Sequence, residues 1–540
     1  MRRTPPGGLA LALLLALVLV PTAHASPLLT MRSDGATFVR EDRFLPPAGE
    51  GLPAAETRPH ARRAAPASSP SATRGFGVRA AGAEPTVRGE LQRLLAAGAI
   101  DQATHDDKDA IYADALKLRG RLSGARRAAL GAVLRNLDDI AAAGGLTPTR
   151  LPALFETVAR NRQWWANGPL LRNGARVGFE NSRLVWQYYA GEGLQIQWLG
   201  TFGKVNGLWQ GGYDSSLRAL VDETLSLASQ RASGIAWEYL FRFDGGRPPW
   251  VSGLAQGTAV QALARAAVKL GEPRYLEAAR AALGIFREPP PSGVRVATPA
   301  GAHYLIYSFA PGLRVLNAFT QALIGLHDYA ALTNDAEGRA MFAAGEAQLR
   351  TELPAYDTGG WSRYSLERDA DVHYHTLARD FLRNLCTRLT EDVASAPPPA
   401  VAATPAGGTP VPAPTGGAVP APGPAVDPAP YCGAAQRWTA YLTRPPAITL
   451  VSTKVRGGKP ATVKLAVSKP SYVTVRLRRG GRTLVVLGGH LGSGVRTLRW
   501  PRPPRTPGRL RVVLRGKDLT GNDGAGEGTL RVLRARARKR

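Results

Sequence analysis

Two stretches of this 540-residue chain place tyrosines beside charged side chains closely enough to do chemistry. "HYLIYSF" carries Tyr304 and Tyr307. "LPAYDTGGWSRYSL" carries Tyr356, Asp357, Arg363 and Tyr364, and His373, Tyr374 and His375 follow shortly after. A tyrosine hydroxyl can give or take a proton, but with a pKa near ~10 only about one in a thousand is ionised at neutral pH. A neighbouring cation must lower it before it acts as a base. Upstream, Gln195, Lys204, Glu238 and Arg247 stand among further aromatics. Aromatic walls stack on the C–H faces of sugar rings, and cations hold carboxylates, so the set suits an acidic sugar. The competing reading is that these large amphipathic rings fill a core. "HYH" is a poor metal pair: i,i+2 residues share a face only on a strand, and no third ligand lies near. No zinc spacing, phosphate-binding glycine loop or nucleophile elbow is present in the sequence.

The elements that must position these residues are helix pairs. "SGLAQGTAVQALARAAVKL" is joined through "GEPR" to "YLEAARAALGIF", and "GLRVLNAFTQALIGLHDYAAL" through "TNDAEGR" to "AMFAAGEAQLRTEL". Apolar residues recur in them at three- and four-residue intervals. The links between pairs, 287–311 and 354–373, are long and tyrosine-bearing. Hairpins with short turns at one end and long links at the other pack side by side into a toroid or superhelix, which gathers the long links on one rim. Functional residues concentrate on loops that a rigid scaffold positions.

The remaining organisation follows composition. Residues 1–25 have a basic start, an apolar run from Leu9 to Val20 and Ala23-His24-Ala25 before Ser26, the pattern of a cleaved secretory signal peptide. That run is shorter than the roughly 20 residues a membrane span needs. Residues 26–84, rich in Pro, Ala, Ser and Arg, are expected to be a disordered lead-in. Residues 85–160 read as an N-terminal helical segment, 161–443 as the hairpin domain, and 395–429 as a Pro/Ala/Gly-rich insertion within it. Cys386 and Cys432, the two cysteines of the chain, flank that insertion and are expected to pair in an exported protein. From 447 to 535 the period switches to strand alternation with Gly/Pro turns, the pattern of an all-β immunoglobulin-like sandwich. Residues 447–540 hold 23 Lys/Arg against three acids, so they carry most of the net charge of +28. Such a module attracts anionic polymer of the cell envelope or serves as a solubilising appendage, and an exported chain makes nucleic acid a poor partner.

"PPWVSGLAQGTAVQALARA", "VLNAFTQALIGLHDY", "LPAYDTGGWSRYSL", "YHTLARDFLRNL" and "RWTAYL", in that order, resemble the C-terminal domain of D-glucuronyl C5-epimerases. The likeness runs from about Asn161 to Leu442. It implies an incomplete α/α toroid, no redox cofactor, and inversion at C5 of glucuronate within a polysaccharide. By this resemblance Tyr364 and Tyr374 take the places of active-site tyrosines. Tyr304 and Tyr307 bracket a site where the family carries two acidic residues, and this chain has Leu305 and Ile306 there. The family's arginine after Tyr364 is also displaced, Glu367 holding its place and Arg368 standing one further on. These readings predict a mainly α protein with catalytic Tyr364 and Tyr374. Substrate contacts are expected from Tyr304, Tyr307, Tyr356, Asp357, Arg363, Arg368, His375, Glu238, Arg247, Lys204 and Gln195. The alternatives are a catalytically silent polysaccharide-binding protein of the envelope and a uronate lyase, which shares the proton abstraction but expels the C4 oxygen.

Overall fold

A computed structural model describes residues 26–45, 85–395 and 426–534. The expected signal segment, residues 46–84 of the lead-in and residues 396–425 of the insertion lie outside the described residues. Among those described, no helix is long and apolar enough to cross a membrane.

The chain begins with a correction. Residues 26–42, expected without regular structure, form an antiparallel pair, β1 (Ser26–Met31) and β2 (Thr37–Asp42). They join β3 (Arg176–Phe179), β4 (Ser182–Tyr189) and β5 (Gly193–Ile196) in one sheet of order β2-β1-β3-β4-β5, with β1 parallel to β3. Leu28, Thr30 and Met31 are buried there. Six residues cannot bury themselves, and the partner that completes them lies well over a hundred residues on, so local composition gives no sign of it.

Between the two parts of the sheet run α1 (Val87–Ala96), α2 (Gln102–Arg121), α3 (Gly124–Ala142) and α4 (Leu151–Asn167). Thr86 caps α1 by accepting from the Gly89 N–H, and Asp101 caps α2 by accepting from Thr104. Asn161 of α4 exchanges hydrogen bonds with both backbone groups of Leu194 and so fixes β5 to the helices.

The hairpins follow: α5 (Trp198–Gly211) with α6 (Asp214–Leu225), α7 (Gly253–Leu270) with α8 (Pro273–Ala282) and the short α9 (Gly284–Arg287), and α10 (Leu316–Thr333) with α11 (Ala336–Glu352). Left-handed residues end α5, α7 and α10: Gly212, Gly271 and Asn334. The last pair, α12 (Val372–Ser395) and α13 (Ala429–Tyr441), is clipped by the Cys386–Cys432 disulfide, with Cα atoms 5.0 Å apart. The first members touch in sequence, α5 on α7 on α10 on α12, and each second member packs against its own partner. Small residues allow the tightest approach: a Cβ on Gly325 would stand 2.1 Å from the carbonyl oxygen of Gly257.

Each long link contains a small antiparallel pair: β6 (Ser229–Arg231) with β7 (Gly234–Ala236), β8 (Arg295–Ala297) with β9 (Ala302–Tyr304), and β10 (Arg363–Ser365) with β11 (Arg368–Asp369). The links bond to one another, Ser308 N–H to Val251 and Gly253 N–H to Leu305, while Val315 bridges Ser365. They therefore lie together, as the hairpin pattern predicts.

The C-terminal region is all strand: β12 (Ile448–Leu450), β13 (Lys454–Arg456), β14 (Ala461–Val467), β15 (Ser471–Arg479), β16 (Arg482–Leu491), β17 (Gly494–Trp500), β18 (Gly508–Asp518) and β19 (Asp523–Leu533). A three-stranded sheet, β12-β14-β17, and a five-stranded one, β13-β19-β18-β15-β16, share a core that includes Val463, Leu465, Val473, Val475, Val512 and Leu514. The region docks on the helical part. Asp369 accepts from the Ser493 N–H and hydroxyl at 2.6 and 2.8 Å, buried Lys469 donates to the Tyr441 carbonyl at 2.7 Å, and Thr520 and Asn522 both donate to the Leu442 carbonyl.

Candidate active site

Three tyrosines from two links and a helix start converge. Tyr364 sits on β10, and the Tyr374 ring in the first turn of α12 lies 4.7 Å from it. Asp371 fixes that turn by accepting from the Tyr374 N–H at 2.8 Å. The Arg368 guanidinium, across the β10–β11 turn, lies 4.5 Å from the Tyr364 ring centre, over its face. Tyr307 comes from the link before α10; its ring stacks on Phe309 at 5.2 Å and meets Phe243 edge-on at 5.5 Å. Its hydroxyl is buried with no hydrogen-bond partner among the described residues. Burial pushes this hydroxyl well above the usual tyrosine range, and the nearby Tyr364, Tyr374 and Asp244 push the same way. Tyr307 is thus a neutral donor awaiting an acceptor, not a base.

Sequence reasoning missed Asp244. It occupies the Phe243-to-Gly246 turn, where Phe243 and Gly246 exchange backbone hydrogen bonds and Asp244 and Gly245 have φ of 45° and 85°. Asp-Gly favours this geometry, and "FDGG" was the available signal. Asp244 and Arg247 line a cleft of about 420 Å³ with Tyr189, Glu192, Phe241 and Phe243. No ion pair or side-chain hydrogen bond occupies Asp244 or Arg247 among the described residues. A cation, a carboxylate and an aromatic wall therefore meet in this cleft, and its Phe243 ring touches Tyr307.

Most other expected contacts have their polar groups spent inside the fold, which corrects the sequence reading. Glu238 is buried between Arg150 and Arg231; burial opposes its charge, but the two guanidiniums hold its carboxyl below the usual range. Lys204 pairs with Asp42 of β2 at 2.7 Å. Gln195, buried in β5, donates to the Glu192 carbonyl. Tyr304 donates to the Met341 carbonyl at 2.7 Å and Tyr356 to the Arg314 carbonyl at 3.3 Å. Asp357 anchors α13 by accepting from Trp438, Tyr441 and Arg437. Arg363 donates to the Leu366 carbonyl within its own hairpin. His375 is buried, stacked 3.8 Å from the Trp361 ring. "HYH" lies at a helix start, so the two histidines diverge. No group of three or more metal-capable side chains lies together among the described residues.

The loop "LPAYDTGGWSRYSL" thus has two jobs. Its first half is a joint: Asp357 holds α13, and Gly360 lies against Ser468 of the C-terminal region, where a Cβ would stand 2.7 Å from the Ser468 carbonyl oxygen. Its second half delivers Tyr364.

Residues 230–396 match the family model described as D-glucuronyl C5-epimerase C-terminus. That segment, about a third of the chain, contains Asp244, Tyr307, Tyr364 and Tyr374 and is similar to the C-terminal part of the D-glucuronyl C5-epimerase family. A D-glucuronyl C5-epimerase of Caenorhabditis elegans is 35% identical over 145 residues, 24% of this chain and 24% of that protein. An uncharacterized protein of Methanocaldococcus jannaschii is 28% identical over 165 residues, 29% of this chain and 54% of that one. The chain therefore spans about a quarter and about half of the lengths of these relatives. The solved unsaturated glucuronyl hydrolase from Bacillus sp. GL1 aligns at a TM-score of 0.29 with 13% identity, covering 45% of this chain and 60% of that one. A likeness at that level carries no argument.

Proposed function

We propose that the protein is an exported C5-epimerase-type enzyme acting on glucuronate residues of an acidic polysaccharide. The observation that carries this reading is the cluster of Tyr307, Tyr364 and Tyr374 with Arg368, joined through Phe243 to the cleft that holds Asp244 and Arg247, all inside the family-matched segment. The C5 hydrogen lies α to a carboxylate. Its removal breaks the C5–H bond, sends the electron pair into a C5=C6 enediolate and needs a base, a charge stabiliser and an acid on the opposite ring face. Arg247 suits the substrate carboxylate, Asp244 the base, and neutral Tyr307 the hydrogen bond that strengthens as enediolate charge builds. Tyr364 and Tyr374 suit reprotonation.

The row of helix hairpins is read as the incomplete α/α toroid, and the two C-terminal sheets as an immunoglobulin-like sandwich. Export rests on the signal-peptide pattern of residues 1–25 and places the protein outside the cell or on its envelope. No redox cofactor enters this chemistry.

A second reading, a silent polysaccharide-binding protein, is favoured by Leu305 and Ile306, which are both buried and leave the Tyr304–Tyr307 segment without a carboxylate. Incubation of the protein with heparosan in deuterated water, read by NMR at C5, separates the two. Deuterium at C5 with new iduronate signals is expected; binding without exchange across several glucuronate polymers would select the silent reading, and an unsaturated product absorbing in the ultraviolet would select a lyase. Tyr364→Phe, Tyr374→Phe and Asp244→Asn should each slow exchange by about 10²-fold or more.

A further inference from the structure

The outward face of β15, β16 and β18 is flat, basic and fitted with an aromatic platform. Tyr472 on β15 is 49% exposed. Its hydroxyl oxygen would stand 3.1 Å from a Cβ on Gly488 of β16, so the ring lies across a residue that has no side chain. The His490 ring supports its edge at 5.0 Å. About half of the residue's surface is left to solvent.

Cations surround this platform through strand register. Tyr472 pairs with Lys517 on β18, and the next outward residue, Thr474, pairs with Arg515. Arg476 is the following outward residue on β15. Directly paired side chains lie about 5 Å apart and diagonal ones about 7–8 Å, so Lys517 and Arg515 are within reach of a ring on Tyr472, and Arg476, diagonal to Arg515, extends the cationic row along the strand. Arg476 and Arg515 have no acidic partner among the described residues, and Lys517 meets only exposed Asp523 at 4.0 Å. A face that merely keeps the protein soluble has no use for a solvent-facing tyrosine lying over a glycine. It has a use if rings are to stack there while charge holds their acidic groups.

The position of the face supports the same conclusion. Tyr472 lies at the end of the sandwich where Lys469 and Ser493 dock on the helical part. The partner of Ser493 is Asp369, next in sequence to the Arg368 that covers Tyr364.

We propose that this face is an acidic-polysaccharide binding surface, with a sugar ring stacked on Tyr472 and carboxylates held by Arg476, Arg515 and Lys517. The inference takes its polymer class from the proposed function but concerns a site outside the tyrosine cluster, and its readout is binding rather than turnover. All the residues substituted below face outward, and circular dichroism checks their folding.

The test compares heparosan with poly-L-glutamate, which carries carboxylates but no sugar rings, in titrations of the full chain at low salt. Arg476→Ser with Arg515→Ser should weaken binding to both about tenfold, an effect that fades as salt is added. Tyr472→Ala should weaken heparosan binding about 3- to 10-fold and leave poly-L-glutamate binding unchanged, while Tyr472→Phe should bind as the parent does. Heparosan binding unchanged in both the alanine and the double serine variant would overturn the proposal. Equal loss on both polymers from Tyr472→Ala would overturn it as well. Failure of C5 exchange in the parent would remove the proposed function and leave these binding results to stand or fall alone.

Discussion

His375 offers a test of whether the loop before α12 is held by a structural joint. Its ring lies between Trp361, 3.8 Å away and nearly parallel, and Trp438 at 6.0 Å. Nδ1 faces the Ser362 N–H at 3.3 Å and the Ser362 hydroxyl at 2.7 Å, and Nε2 faces the Trp438 carbonyl at 3.0 Å. This network assigns the proton to Nε2 and leaves Nδ1 an acceptor; a second proton would turn it towards a backbone donor. Burial pushes the pKa down to about 4; the Trp438 carbonyl opposes this, and the Arg379 and Lys469 charges add to it. The unfolded chain takes the proton near pH ~6.5. Between these values the unfolded state binds more protons, so stability falls as the pH falls and levels off below about 4. From pH ~7 to pH ~5 the loss from this one group is about 2 kcal/mol. His375→Gln keeps a donor and an acceptor but does not titrate. It should be less stable than the parent by about 1–3 kcal/mol at pH ~7, and that gap should narrow by about 2 kcal/mol at pH ~5. Urea unfolding followed by far-ultraviolet circular dichroism at both pH values measures it. A gap that stays constant would refute the buried neutral imidazole and the joint built on it.

Three further outcomes test the scaffold. Reduction of Cys386–Cys432, which closes a separation of 46 residues, should cost about 2–4 kcal/mol and expose α13 to protease. Asp369→Asn removes the carboxylate that holds Ser493; it should weaken the junction by about 1–3 kcal/mol, read as faster limited proteolysis around residues 442–447 with the melting of the sandwich itself unchanged. Gly325→Ala drives a methyl into the Gly257 carbonyl and should cost about 2–4 kcal/mol in thermal unfolding, whereas alanine at exposed Gly120 in α2, with open space around it, should stabilise by about 0.5–1 kcal/mol.

Hairpins α7–α8 and α10–α11 were legible because their signals are local: a 3.6-residue apolar period, a turn residue that tolerates left-handed backbone, and polar connections. The C-terminal strands were legible for the same reason, since "ATVKLAV" and "YVTVRLRR" bury every second residue. The disulfide followed from cysteine count and position. Strands β1 and β2 were not legible, because β1 is completed by β3 far along the chain and its own few apolar residues make no pattern.

For the site, the sequence determined which long links carry aromatic and ionisable groups; Tyr307 and Arg247 were candidates by residue type, and Tyr364 and Tyr374 by resemblance. It did not determine which of those groups are already engaged. Glu238, Lys204, Asp357 and His375 look reactive in one dimension because residue type is all that one dimension offers. Burial requires each of them to find a partner, and those partners, Arg150, Asp42, Trp438 and Ser362, come from distant elements. Tertiary structure decided the converse as well. Among the described residues it left Asp244 and Arg247 without side-chain partners at a cleft, and it buried the Tyr307 hydroxyl without a hydrogen-bond partner. Residue type sets the chemistry a side chain can do, and packing decides which side chains are left to do it.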